Sequence, residues 1–253
     1  MWPGKSSLKS NRLGFLEHLE EFRGRLLIIL AAIGAFSAAA WFFSKPLIEF
    51  LALPLAELGE GELYFQAPYD AFLVHLKVSI LAGLLLATPV LFTQLWLFAA
   101  PGLHQREKKI LFPLVLISVF LFLAGAAFAF WGIVPFGLRF LLSYQTHSLR
   151  PLLSASSYFS FLIGMILASG ITFDLPVAVL GLVRLGLLDA QALRIGRKAA
   201  IVLILVLTAV LTPSPDPVGQ VLLALPLFLL YEACIWIASK TGLRHPSSLR
   251  SSG

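Results

Sequence analysis

The chain has 253 residues, of which 58% are hydrophobic and 13% charged, and its formal net charge is +6. Soluble domains carry about 25% charged residues, so this composition excludes an ordinary soluble enzyme or binding module and points to a multi-spanning α-helical membrane protein. The basic residues are dispersed between apolar runs, which argues against nucleic acid as a partner, and the single Cys234 excludes an internal disulfide or a cysteine-built zinc cluster.

The opening stretch, MWPGKSSLKSNRLGFLEHLEEFRGRL, is polar for too long to read as a signal peptide. Within it, Phe15, Leu16, Leu19, Phe22 and Leu26 recur at helical spacing, with Glu17, His18, Glu20, Glu21, Arg23 and Arg25 on the rest of the turn. The pattern predicts an amphipathic helix over the cytosolic segment 1–25, lying at the membrane surface before the first span. A plain lipid anchor favours Lys and Arg on its polar face. The glutamates suit a basic partner instead, so an anchor and a docking surface are both open readings.

Six hydrophobic segments follow, at about 26–43, 71–100, 110–135, 154–183, 199–212 and 218–238, and a polar tail occupies 239–253. The expected fold is all-α: a single polytopic membrane domain, 1–253, whose six transmembrane helices occupy 26–238. A β-barrel would instead show alternating segments of about 10 residues. Of the 19 lysines and arginines, all but Lys45, Lys77, Arg139 and Arg150 fall in 1–25, 101–109, 184–198 and 239–253. The positive-inside rule therefore places both termini in the cytoplasm. Segments two and four, of about 30 residues, each predict a helix ~45 Å long with Pro89 and Pro176 as kink points. Segment five, AAIVLILVLTAVLT, reaches only ~21 Å against ~30 Å of hydrocarbon. Either the bilayer thins there or neighbouring helices cover the gap. The unequal spans suggest a concave wall rather than a compact bundle.

Asp174, in ASGITFDLPVAVL, is the one charged residue between Arg150 and Arg184. It lies ten residues before Arg184, about 15 Å in from the cytosolic end of its helix. A carboxylate there costs ~2.5–3.5 kcal/mol on insertion scales, which makes it a functional candidate by default. Three readings are open: contact with a polar side chain of a partner helix, an internal bond to Thr172, Gln94 or another helix, or a proton relay. Glu232, nearer the cytosolic end of segment six, reads as a snorkelling acid. His75, with no second ligand at i+4, reads as interfacial rather than metal-binding.

These residues carry a resemblance. HLEEFRGRL (18–26) resembles the H-L-x-E-L-R-x-R-L motif of TatC proteins, the large membrane subunit of the twin-arginine protein translocase. QLWLFAAPGLHQREKK (94–109), FDLPV (173–177), LTPSPD (211–216) and LLALPLFLLYE (222–232) match further segments of that family in order. The resemblance implies a receptor for folded proteins whose signal peptide carries two consecutive arginines. It implies signal-peptide contacts at Glu21, Arg23, Arg25, Phe98 and Glu107, and contacts to partner subunits at Asp174, Gln94, Pro213 and Asp216. It further implies TatA- and TatB-like single-span partners in a multimeric complex, a cytoplasmic (inner) membrane location, use of the proton-motive force, and no cofactor, metal or bond chemistry. Phe22 replaces the family's usual leucine, and Asp174 stands where Glu or Gln is common, with a shorter arm.

The chemistry of the residues suits this role. Guanidinium groups pair with carboxylates through a planar fork that lysine lacks. Exposed pairs contribute ~0.2–1 kcal/mol each, whereas micromolar affinity needs about −8.2 kcal/mol, so the apolar stretch of a signal peptide must supply most of the affinity. The alternative is a proton-coupled secondary transporter using Asp174, although 26–135 and 154–238 show no internal repeat. A hydrolase is disfavoured by the absence of H-E-x-x-H and G-x-S-x-G motifs.

Overall fold

An apolar chain in lipid must satisfy its backbone internally, and helices do so within a single segment. The computed structural model of the protein describes residues 6–59, 62–99, 108–145, 152–184, 196–211 and 217–240. It is helical through most of these residues: α1 (Ser6–Trp41), α2 (Ser44–Ala56), α3 (Asp70–Ala99), α4 (Lys108–Phe128), a π-turn at Ala129–Ile133, α5 (Val134–Leu142), α6 (Ala155–Arg184), α7 (Arg197–Leu211) and α8 (Pro217–Lys240). Among the described residues four stretches are long and apolar enough to cross a bilayer: Leu19–Trp41, Asp70–Ala99, Leu111–Leu142 and Ala155–Gly181.

Three boundaries differ from the sequence reading. The amphipathic segment and the first span form one helix, α1. The N-terminal residues therefore continue the span instead of forming a separate surface element. The connection 44–70 contains a helix, α2, whose Leu51, Pro54 and Leu55 are buried. The third segment runs past 135 to Leu142. Pro135 has no N–H to donate to the residue four before it. The π-turn just upstream, where the Val134 N–H reaches the Ala129 carbonyl, lets the helix continue through it.

The proline expected to kink α3 is accommodated as well. Pro89 leaves the Leu85 carbonyl without its helical donor, and Thr88 Oγ1 donates to that carbonyl at 2.8 Å.

The largest core joins α2, α3, the π-turn, α5 and α6 around Phe159, Leu162, Met165 and Val78. At one end it is fastened by hydrogen bonds between distant segments. The Tyr64 N–H donates to the Leu153 carbonyl, the Ala155 N–H donates to the Tyr64 carbonyl, and Tyr158 OH donates to the Leu51 carbonyl at 2.8 Å. His75 lies at this end beside the Trp41 ring. Ser44 Oγ gives its proton to the Trp41 carbonyl, so it accepts from His75 Nδ1 at 2.8 Å. Among the described residues there is no group of His, Cys, Asp and Glu that would hold a metal ion.

α1 packs along α3. Gly83 permits this: a Cβ built there would lie 2.6 Å from Ser37 Cα, which is backbone and cannot rotate away. A second close approach joins α4 to α6, where a Cβ on Gly125 would lie 2.7 Å from the Ser169 carbonyl oxygen, which belongs to a backbone equally unable to rotate aside. Ser169 Oγ in turn donates to the Gly125 carbonyl at 2.8 Å.

Gly83→Leu is expected to destabilise the protein by at least about 1–3 kcal/mol, the range for overpacking, visible as a lower melting temperature in detergent. Ser37→Ala is the matched control. Its hydroxyl has no hydrogen-bond partner among the described residues, so its removal should leave stability unchanged or slightly raised.

Candidate functional site

The N-terminal half of α1 and the C-terminal end of α3 bring several of the predicted residues together. α1 runs through Arg25 to Ser37, and α3 returns through Gly83 to Gln94, so the two helices are antiparallel neighbours. Fifteen residues separate Phe22 from Ser37, and fifteen separate Gly83 from Phe98. Equal runs of about 22 Å from the glycine contact bring the two phenylalanines to the same height, and their ring centroids lie 5.3 Å apart. By the same register Arg25 meets Gln94, with Arg25 Nη1 donating to Gln94 Oε1 at 3.1 Å.

Arg25 also reaches back one turn. Its Nη2 and Nε donate to one oxygen of Glu21, Oε1, at 2.7 and 3.0 Å. This is the i,i+4 spacing that suits a carboxylate followed by a cation, and the pair is partly shielded, with 23% and 36% side-chain exposure. The site is therefore a carboxylate held by an internal guanidinium, anchored across the helix pair by an amide and floored by two aromatic rings. Arg23 points outward and is exposed. Glu107, Pro213 and Asp216 lie outside the described residues.

Gln94, expected to contact a partner subunit, thus sits with the N-terminal cluster. Phe22, which sequence places on the apolar face of the helix, forms the ring contact with Phe98. The i,i+4 spacing of Glu21 and Arg25 was a signal available in the sequence. The contact to Gln94 spans 69 residues and left none.

Asp174 occupies a second place, on α6. It is buried, and its partner is Ser118 of α4, another helix of the chain, rather than Thr172 or Gln94. Ser118 in turn accepts a hydrogen bond from Trp96 Nε1 at 3.0 Å. Trp96, Ser118 and Asp174 thus link α3, α4 and α6 through polar groups inside an apolar core that includes Phe92 and Phe122. A Cβ on Gly181 would collide with the Trp96 ring, so glycine leaves the space the indole fills. Asp174 Oδ1 and Thr172 Oγ1 are buried with no hydrogen-bond partner among the described residues. Beside them, Leu175 packs against the small core of Ile204, Ala224 and Leu227 between α7 and α8. A nearly apolar groove of about 310 Å³ also lies between those helices, lined by Ile201, Ile204, Leu205, Val221, Ala224, Leu225 and Phe228. Glu232 is paired with Arg197 at 3.0 Å, joining the inner ends of α7 and α8.

Ser118→Ala should strip both Trp96 and Asp174 of a buried partner and cost about 1–3 kcal/mol. Asp174→Leu removes an oxygen that already lacks a partner and leaves Ser118 bonded to Trp96, so stability should hold or rise. Thermal melting of the two variants in the same detergent checks the contrast.

Comparison with known proteins places this architecture. A family model described as "Sec-independent protein translocase protein (TatC)" matches residues 17–226. The TatC of Magnetococcus marinus is 42% identical over 223 residues, covering 87% of this chain and 82% of its own length. The chloroplastic TATC of Arabidopsis thaliana is 36% identical over 243 residues, covering 96% of this chain and 71% of its own. The crystal structure of a TatC, described as a twin arginine translocase receptor, superposes with a TM-score of 0.76 at 36% identity, covering 88% of this chain and 98% of that one. A chain matched over nearly its whole length by model, relatives and solved structure, and built of apolar helices able to cross a bilayer, belongs to the TatC family of Sec-independent protein translocase subunits, membrane proteins with a transport function.

Proposed function

We propose that this protein is the signal-peptide receptor and core subunit of a twin-arginine translocase in the cytoplasmic membrane. In this reading it spans the bilayer six times, with α7 and α8 as the fifth and sixth spans, keeps both termini in the cytoplasm, and forms a concave wall of unequal helices. It assembles with TatA- and TatB-like single-span subunits in a multimeric complex that exports folded proteins, drawing on the proton-motive force. The description of the solved relative as a receptor supports the reading. So does the distribution of lysine and arginine along the sequence.

The observation that carries it is the cluster of Glu21, Arg25, Gln94, Phe22 and Phe98. A carboxylate that already accepts a guanidinium is built to accept another, and the adjoining rings offer a face to the apolar stretch that follows the arginines. Glu21 and Glu107 each receive one arginine, and Phe98 lines the apolar wall. Gln94 belongs with this end rather than with the partner contacts. At Asp174 the buried oxygen without a partner is where a polar side chain from a single-span subunit would bond, with Pro213 and Asp216 contributing from the outer turn and the α7–α8 groove taking the apolar flank. A proton-coupled transporter using Asp174 finds no support among the relatives, which are named as protein translocase subunits.

The test is binding of a labelled signal peptide to the purified protein, comparing Arg-Arg with Lys-Lys. Arg-Arg should bind more tightly, and Glu21→Gln and Glu107→Gln should each weaken it by about tenfold, the equivalent of ~1.4 kcal/mol, while weakening Lys-Lys less. Equal binding of both peptides to the wild-type protein would sink the receptor reading.

A further inference from the structure

Arg25 is more than a neighbour of Glu21. Its Nε and Nη2 both converge on Glu21 Oε1, while its remaining terminal nitrogen is fixed by Gln94 from the facing helix. A guanidinium entering from outside would need that same oxygen for a two-point contact with Glu21. The site therefore comes with an occupant of the same chemistry as the ligand proposed for it.

We propose that Arg25 is a resident competitor for the Glu21 carboxylate, an internal guanidinium that the signal-peptide arginine displaces, and that Gln94 keeps hold of Arg25 when it lets go. This rests on the receptor reading above and goes beyond it, because it assigns Arg25 and Gln94 opposite effects on peptide affinity. When an internal group fills the site for part of the time, apparent affinity falls by the fraction of time the site is open. For a pair as exposed as this one the loss is roughly two- to fivefold. The loss falls equally on every cation, so Arg25 sets a threshold and does not itself choose between arginine and lysine. That choice stays with the geometry of the fork. The threshold filters out ligands that offer charge without an apolar stretch, and the waiting Arg25 recaptures Glu21 when the peptide leaves.

Gln94 acts on the other side of the balance. On release from Glu21, Arg25 retains the bond from Nη1 to Gln94 Oε1 and is not left without an acceptor in a partly buried place. Removing Gln94 makes release costlier and so weakens the peptide. Arg25 is thus a positioning residue whose loss is expected to strengthen binding, a sign that a purely structural role would not produce.

The experiment measures affinity of Arg-Arg and Lys-Lys signal peptides for the full-length protein in detergent, with melting temperature recorded for each variant. Arg25→Lys, which keeps the charge and loses the fork, and Arg25→Met, which removes the competitor, should both raise the affinity of both peptides, by roughly two- to fivefold, and leave their ratio unchanged. Gln94→Leu should lower both. In a Glu21→Gln background neither Arg25 variant should have any effect. If Glu21→Gln weakens Arg-Arg binding but Arg25→Lys and Arg25→Met leave it unchanged or reduce it, the competitor role is wrong and the receptor reading survives. A gain that persists in the Glu21→Gln background overturns the competitor role too. If Glu21→Gln does not weaken Arg-Arg binding at all, both fall together.

Discussion

The crossing of α1 and α3 at Ser37 and Gly83 sets the register for what lies at the inner end of both helices. With a backbone approach this close, the helices have little freedom to slide. Each residue of α1 therefore meets a defined residue of α3, so that the pairing of Phe22 with Phe98 and of Arg25 with Gln94 follows from a contact about 22 Å away. The cluster is in this sense specified from the middle of the two helices. A side chain as small as alanine at position 83 would meet the Ser37 backbone and disturb the spacing of the carboxylate cluster.

The two polar places in the structure are handled differently. At Glu21 and Arg25, charge is set where both side chains stay partly exposed. At Asp174 the carboxylate is enclosed, bonded through Ser118 to Trp96, and surrounded by aromatic and aliphatic groups. Polar links between helices in an apolar core are specific because there is no water to replace a lost partner. One place is partly open to solvent, and the other is closed to it.

Much of this was legible in the sequence. Length and apolarity located α3 and α6 to within a residue or two, because a long apolar run in lipid has few alternatives to helix. The π-turn at Ala129–Ile133 was not legible. Pro135 reads as a natural stop, and only the local repair of hydrogen bonding lets the helix pass through it. α2 was missed because Pro46, Pro54, Lys45 and Glu49 gave its stretch the look of a connection, although its buried leucines pack on the core. At the candidate site the residue types pointed to guanidinium chemistry, and motif resemblance singled out Glu21 and Phe98. The linkage of Arg25 to Gln94 depends on how two distant helices cross, which no local pattern encodes. Asp174 was conspicuous by its isolation, but Ser118, which holds it, is one small polar residue in an apolar run and resembles many others.

The bridge between Tyr64 and Ser154 has a consequence for the order of assembly. Its partners are 90 residues apart in the chain, and the Tyr158 bond to Leu51 spans 107. A chain made from its N-terminus can pair α1 with α3 as soon as both are inserted, since their contact needs nothing downstream. The fastening through Tyr64 and Tyr158 must wait until the start of α6 has been synthesised. The end of the molecule that holds Glu21, Arg25 and Gln94 is therefore completed early in biogenesis, and the opposite end closes late. Truncation after α3 would leave the inner cluster of Glu21, Arg25 and Gln94 with all of its members present, while the outer fastening would lack half of its own.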